Sequence, residues 1–237
     1  MKNTKLIGIS ATIISATFFG FFPLVTRAIY EGGANTFSTS FFRFFFAILP
    51  VYIYLKIKEI DLKITKKELK DITLAALGYG GTTALLFGSY NLIPSGLATT
   101  IHFLYPTFTV LGTVIFLKQK VDKTKVLCTA LSLIAIFLFY EGEGESNVIG
   151  MLLAVISGVT YAFYTIYVGN SDLKKMESLK LIFYMNIISC IVYLIMSLSF
   201  GGLTLNVTLK AYILLVVGSI LVTFIGVLGY QTGILNI

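Results

Sequence analysis

The chain has 237 residues, of which 57% are hydrophobic and 12% charged, with a formal net charge of +7. Soluble domains carry about 25% charged residues, so about half of the usual polar cover is missing, and a mean hydropathy of +0.90 agrees. These figures argue against a soluble fold, a disordered chain and a nucleic-acid-binding domain. Cys128 and Cys190 each lie in an apolar run without a second ligand at metal spacing. Neither a disulfide framework nor a metal site is indicated, and no cofactor is expected.

A hydrocarbon core of about 30 Å takes about 20 apolar residues of helix, and the charge-poor runs have roughly that length. The spacing predicts spans over residues 6–26, 36–55 (interrupted only by Arg43), 72–92, 96–117, 126–140, 148–168, 179–200 and 211–233. The third and fourth come from one charge-free interval of 46 residues, divided where Asn91, Pro94, Ser95 and Gly96 supply turn chemistry. Helices are expected because lipid offers backbone amides no partners, and the period-two alternation of a barrel strand is absent. The apolar run after Lys2 and Lys5 is too long for a signal-peptide core and meets no clear small-residue cleavage site, so it is read as the first span.

Fifteen of the 18 basic residues fall at the N-terminus, in the loops after spans two, four and six, or just inside the seventh span at Lys180. The loop after span five instead carries Glu141, Glu143 and Glu145. Basic residues stay on the cytoplasmic side, so a multi-pass protein of the cell (inner) membrane is expected, with both ends cytoplasmic. Its expected partners are the lipid bilayer and a small-molecule substrate, without nucleic acid.

The start of span six, Ile149-Gly150-Met151-Leu152, resembles Ile7-Gly8-Ile9-Ser10 of span one at an offset of 142, which also aligns Ser157 with Ser15 and Tyr161 with Phe19. Span eight resembles span three at an offset of 140, matching Gly218 with Gly78, Tyr230 with Tyr90 and Gln231 with Asn91. These registers suggest a five-helix unit over residues 1–145 and a second copy over 146–237. Five is odd, so the copies run in opposite senses, as in secondary transporters with a midplane site. The plainer alternative is that apolar helices resemble one another. At the offset of 140 the chain stops at the counterpart of Leu97. The expected fold is therefore all-α integral membrane, with eight of ten transmembrane helices and two inverted five-helix repeats, the second incomplete.

Arg43 lies roughly 10 Å into span two at about 1.5 Å per residue, where an arginine costs up to about 2.5–3.5 kcal/mol. It reads either as a fixed cation for a substrate carboxylate or as a side chain that snorkels outward or meets backbone carbonyls. His102 is the only histidine. Thr99, His102, Pro106, Thr109 and Thr113 recur at helical spacing and share one face. The imidazole could bind substrate or exchange a proton, or simply hydrogen-bond a neighbouring helix. Pro106 loosens the helix, as a hinge or a harmless kink. Tyr79 and Asn91 in span three, Tyr161 and Tyr164 in span six, and Tyr184 and Asn186 in span seven add polar groups and aromatic walls. No carboxylate pair lies inside a span, and no nucleotide loop or nucleophile elbow occurs. The chain is not expected to be an enzyme.

Four stretches carry a resemblance to a known family. They are Ala16-Thr17-Phe18-Phe19-Gly20-Phe21-Phe22-Pro23-Leu24, Ser40-Phe41-Phe42-Arg43-Phe44-Phe45-Phe46-Ala47, the hairpin Tyr90-Asn91-Leu92-Ile93-Pro94-Ser95-Gly96-Leu97-Ala98 with Tyr105-Pro106-Thr107-Phe108, and residues 150–168. In these the chain resembles the EamA-type drug/metabolite transporters, ten-helix carriers built from two inverted five-helix repeats. The resemblance implies movement of a small organic metabolite or drug-like solute by alternating access. His102, Arg43, Thr99, Thr109, Tyr161, Tyr164, Tyr79 and Asn91 are then the candidate substrate-binding residues and Pro106 the candidate hinge. Alanine at His102 or Arg43 is expected to lower transport without harming insertion. Lys118-Gln119 stands where a glycine–glutamate pair is usual in the family. The alternative is a non-transporting membrane protein, a remnant or a partner subunit of a helix bundle. A homodimer is compatible with either reading, and a lipid-modifying enzyme is a more distant one.

Overall fold

The structure is a computed structural model that describes residues 2–119, 147–199 and 202–229, with residues 127, 129–131, 134 and 232. Every element among the described residues is helical. In chain order these are α1 (Lys2–Glu31), α2 (Thr36–Ile57), α3 (Lys66–Ser89), α4 (Ser95–His102), α5 (Tyr105–Leu117) and α6 (Val148–Asn170). A 3-10 turn (Asp172–Lys175), α7 (Ser178–Ser199), α8 (Leu209–Ser219) and a π-helical segment (Ile220–Gly226) follow.

Among the described residues seven stretches are long and apolar enough to cross a membrane, with α4–α5 and α8 with its π segment each counting once. Their outer faces fit lipid and not water: Phe116, Leu198 and Leu209 are 80%, 70% and 75% exposed. Polar side chains instead turn inward, with Ser15, Thr26, Ser40, Ser157, Asn186 and Thr223 all buried. The chain is an all-α, multi-pass membrane protein. The fifth predicted span lies outside the described residues apart from isolated positions.

The ends of the helices follow local chemistry. The Asn35 side chain accepts from the Ser38 amide at 2.8 Å and caps α2, and Asn147 caps α6 by accepting from Ile149 and Gly150. At the other end of α5, Lys118 takes a left-handed conformation with φ 52°, and the Gln119 amide donates back to the Thr113 carbonyl. Glycine is favoured at such a C-terminal turn, which gives a backbone reason for the glycine expected there. Two predictions differ in detail. Span four is broken between His102 and Tyr105, and span eight changes to π geometry after Ser219.

The chain forms two compact units, Met1–Thr65 with Met176–Ile237, and Lys66–Lys175. Unit one therefore holds α1, α2, α7 and α8 with its π segment, and unit two holds α3 to α6. In unit one, Phe44 stacks on Tyr193 at 5.7 Å and Tyr52 on Phe183 at 5.9 Å, so α2 and α7 run antiparallel. The Ser15 hydroxyl donates to the Gly226 carbonyl at 2.6 Å, and Thr208 donates its amide to the Gly32 carbonyl, so α1 and α8 are antiparallel too. In unit two, α3 lies antiparallel to α6 through Thr82–Thr160 at 3.0 Å and Tyr167–Asp71 at 2.8 Å.

One contact recurs in both units. A Cβ on Gly218 would stand 3.1 Å from the Phe22 ring, and one on Gly78 would stand 3.2 Å from Cβ of Tyr164. Gly218 and Gly78 are 140 apart, and Tyr164 and Phe22 are 142 apart, the two offsets found in the sequence. In each unit a glycine of one helix thus lies against an aromatic residue of another, with the Phe163 ring also 3.0 Å from a Cβ at Gly78.

Candidate functional site

In unit two a histidine stands among tyrosines. α4 ends at His102 because Pro106, four residues later, has no amide to give the His102 carbonyl. The Phe103 amide still donates to Thr99, but the Leu104 amide donates to Ile101, both at 3.0 Å, and the turn tightens. α5 then restarts with proline in its first turn, where proline is tolerated.

His102 is 8% exposed, and its Nδ1 lies 2.9 Å from the Ser157 hydroxyl of α6. The single hydroxyl proton of Ser157 already goes to the Ala154 carbonyl at 2.6 Å. The imidazole must therefore donate from Nδ1. A neutral ring then carries a lone pair on Nε2, which is left as an acceptor.

Around the imidazole runs a ladder of rings. Tyr161 is edge-on to His102 at 5.6 Å, and Tyr105 lies 5.7 Å from it. Tyr105 and Tyr161 meet edge to face at 4.7 Å, Tyr161 and Tyr164 are 5.5 Å apart, and Tyr164 reaches Tyr79 at 5.4 Å. Tyr79 is buried, while Tyr105, Tyr161 and Tyr164 are half-buried. Such rings offer electron-rich faces to cations and edges or faces to planar groups.

Of the residues expected from sequence, His102, Tyr79, Tyr161 and Tyr164 are thus brought together. Thr99 and Thr109 are half-buried and donate to backbone carbonyls of their own helices, Ser95 at 2.6 Å and Tyr105 at 2.8 Å. Tyr90 adds a hydrogen bond with Thr99 at 3.1 Å. Asn91 is exposed in the turn after α3 and donates to the Phe87 carbonyl at 3.4 Å. Arg43 belongs to unit one, where it is buried over the Phe22 ring at 4.9 Å. Sequence reasoning missed Tyr105 and the role of Ser157. Tyr105 is three residues beyond His102, and Ser157 had been aligned only with Ser15.

The exposed end of unit two carries the charges. Lys67 pairs with Asp172, and Lys175 approaches it at 3.9 Å. The hydrogen bond and charge of Lys67, helped by Lys175, hold the Asp172 carboxyl below its ordinary range. More than half of each side chain is exposed, so these pairs contribute little to stability.

Pro106→Ala tests the break directly. An amide at 106 can reach the His102 carbonyl if α4 and α5 merge, and a hydrogen bond is worth about 0.5–1.5 kcal/mol net. We expect a slightly higher melting temperature in thermal unfolding of the purified chain. An unchanged or lower one would mean that the missing amide is not what breaks the helix.

The model of the EamA-like transporter family matches residues 6–141. The chain belongs to this family. Among curated relatives of this EamA-like chain, an uncharacterized transporter of Synechocystis is 27% identical over 72% of the chain and 61% of its own length. S-adenosylmethionine uptake transporters of Rickettsia bellii and Rickettsia conorii are each 24% identical, over 67% and 68% of the chain and 54% of their own lengths. The EamA-like chain thus spans between half and two thirds of the relatives it matches. A solved crystal structure superposes with a TM-score of 0.64 at 15% identity, covering 100% of this chain and 86% of that one; it shows the fold alone.

Proposed function

We propose that this chain moves a small organic solute across the membrane by alternating access, and that the solute docks on the His102–tyrosine surface of unit two. The observation that carries the reading is the set of rings around His102, with an imidazole acceptor and a broken helix in the same place. Tyrosine faces favour an organic cation or a planar heterocycle, and a solute like S-adenosylmethionine has both. The names of the Rickettsia relatives support that class. Thr99, Thr109 and Asn91 belong to the reading as residues flanking the docking surface, and Pro106 as its hinge.

The glycine–aromatic contact repeated in both units supports two related copies over residues 1–145 and 146–237. On this reading each unit draws helices from both copies, as expected of inverted repeats in secondary transporters. The basic loops support a cytoplasmic N-terminus in an inner membrane.

The test is uptake of labelled S-adenosylmethionine by proteoliposomes holding the chain. Saturable uptake, competed by other cationic heteroaromatic solutes, is expected. No uptake of any such solute would favour the non-transporting alternative.

A further inference from the structure

A cavity stands at the end of α2 in unit one, whereas the His102 surface belongs to unit two. It measures about 570 Å³ and is lined by Lys56, Glu59, Ile60, Asp61, Leu62 and Lys63, a size usual for small-ligand sites. Its walls follow from the way α2 stops. The Glu59 amide donates to the Lys56 carbonyl at 3.1 Å and the Ile60 amide to the Leu55 carbonyl at 3.0 Å, with Glu59 left-handed at φ 53°. This pair of bonds is a Schellman turn, and it swings the chain off the helix axis. The segment that follows is pinned to α7. The Tyr184 hydroxyl donates to the Leu62 carbonyl, and the Lys180 ammonium donates to the Lys63 carbonyl at 2.7 Å. Ile60 and Leu62 pack with Leu55, Leu179 and Phe183, which fixes the core side of the cavity.

Four charges share this space, two of each sign. Lys56, Glu59, Asp61 and Lys63 are all exposed, and among the described residues none of them has an ion-pair partner. The Lys63 amide donates to one carboxylate oxygen of Asp61 at 3.0 Å and so holds that side chain in place. A purely basic patch beside a membrane draws anionic lipid. Two carboxylates set between two lysines fit a ligand that carries both signs.

The depth is that of lipid headgroups. α2 has 22 residues, or about 33 Å at about 1.5 Å per residue, slightly more than a hydrocarbon core of about 30 Å. Its last turn therefore leaves the hydrocarbon. Lys56 lies there over the Tyr52 ring at 5.6 Å, and tyrosine and lysine commonly sit at that level. Leu49, Ile53 and Ile57 are exposed, and they share one face of α2 with Tyr52 and Lys56 at spacings of three and four. An apolar track thus leads along the helix to the charged cavity.

We propose that this cavity binds the headgroup of a phospholipid with a primary ammonium, of the phosphatidylethanolamine kind. Lys56 and Lys63 take the phosphate, Glu59 and Asp61 take the N–H donors of the ammonium, and an acyl chain lies along Leu49, Ile53 and Ile57. The paired charges choose against a purely anionic headgroup, and the apolar track chooses a lipid over a free phosphate ester. The site does not depend on the carrier reading, since it requires only that α2 cross the membrane.

The full chain, purified in detergent, is offered equal amounts of phosphatidylethanolamine, its N-trimethylated counterpart phosphatidylcholine, and phosphatidylglycerol, all with the same acyl chains. Native mass spectrometry reads which lipid is retained first. The native chain should retain phosphatidylethanolamine over either competitor by at least about threefold, the scale of exposed charged contacts. Glu59→Gln with Asp61→Asn, which keeps an acceptor for the Lys63 amide, should erase the preference over phosphatidylcholine and turn it toward phosphatidylglycerol. Lys56→Gln with Lys63→Gln should lower retention of phosphatidylethanolamine at least about threefold. All four side chains are exposed, so both variants should fold, and the comparison of lipids on the native chain needs neither. Equal retention of the three lipids by the native chain, a native preference for phosphatidylglycerol, or a folded variant that behaves as the native chain overturns the proposal. Glycerophosphoethanolamine, the same headgroup without acyl chains, should compete at least about tenfold more weakly than the lipid, and equal competition overturns the lipid as occupant.

Discussion

Replacing His102 with alanine is expected to lower uptake about 10- to 100-fold, the scale of one strong hydrogen bond lost in the loaded state. The direction follows from the protons. Ser157 gives its proton to the Ala154 carbonyl and accepts from Nδ1 of His102, so Nε2 is the ring atom left to meet a solute. Asparagine and glutamine separate the two nitrogens. Asparagine places an amide near the Nδ1 position and keeps a donor for Ser157, whereas glutamine reaches the Nε2 position and loses that donor. His102→Asn should hold the native melting temperature yet transport as poorly as His102→Ala. His102→Gln should lose some stability and recover part of the uptake. The opposite ranking would make His102 a structural tie between α4 and α6.

The spans were legible because lipid imposes one simple rule: about 20 apolar residues per crossing, with backbone amides paired inside the helix. Composition alone carries that rule, so seven of the predicted spans appear among the described residues. Finer features need information that hydropathy does not hold. Pro106 announced a weak point in span four, yet whether a proline bends or breaks a helix depends on what packs beside it. The π segment had no local signal at all, since residues Ile220–Gly226 contain neither proline nor a charge. The stripe from Thr99 to Thr113 assumed an unbroken helix. After the break Thr109 and Thr113 donate to carbonyls of α5 itself. His102 and Tyr161 could be picked out as unusual residues in apolar runs, but their meeting depends on α6 lying against α4. Tyr105 becomes meaningful only through that packing.

That packing depends on Gly158, and Gly158→Val is expected to abolish uptake and lower the melting temperature. A Cβ on Gly158 would stand 3.1 Å from the His102 carbonyl oxygen and 3.2 Å from the Phe108 ring. Alanine is the informative control. It gains about 0.8–1.0 kcal/mol in helix propensity over glycine, and its single methyl asks the neighbours to yield by only tenths of an ångström. The two effects nearly cancel, so Gly158→Ala should fold and transport close to normally. Valine adds two methyl groups toward a backbone carbonyl that cannot rotate away, and overpacking of this kind costs about 1–3 kcal/mol or more. Relief requires α6 to move off α4, and this pulls Ser157 from His102 and Tyr161 from Tyr105. The loss should therefore exceed that of Ser157→Ala, which removes one hydrogen bond and leaves the rings in place. Measured together, Gly158→Ala, Gly158→Val and Ser157→Ala separate helix approach from hydrogen bonding. Native uptake in Gly158→Val would mean that the close contact of α4 with α6 is not needed for transport.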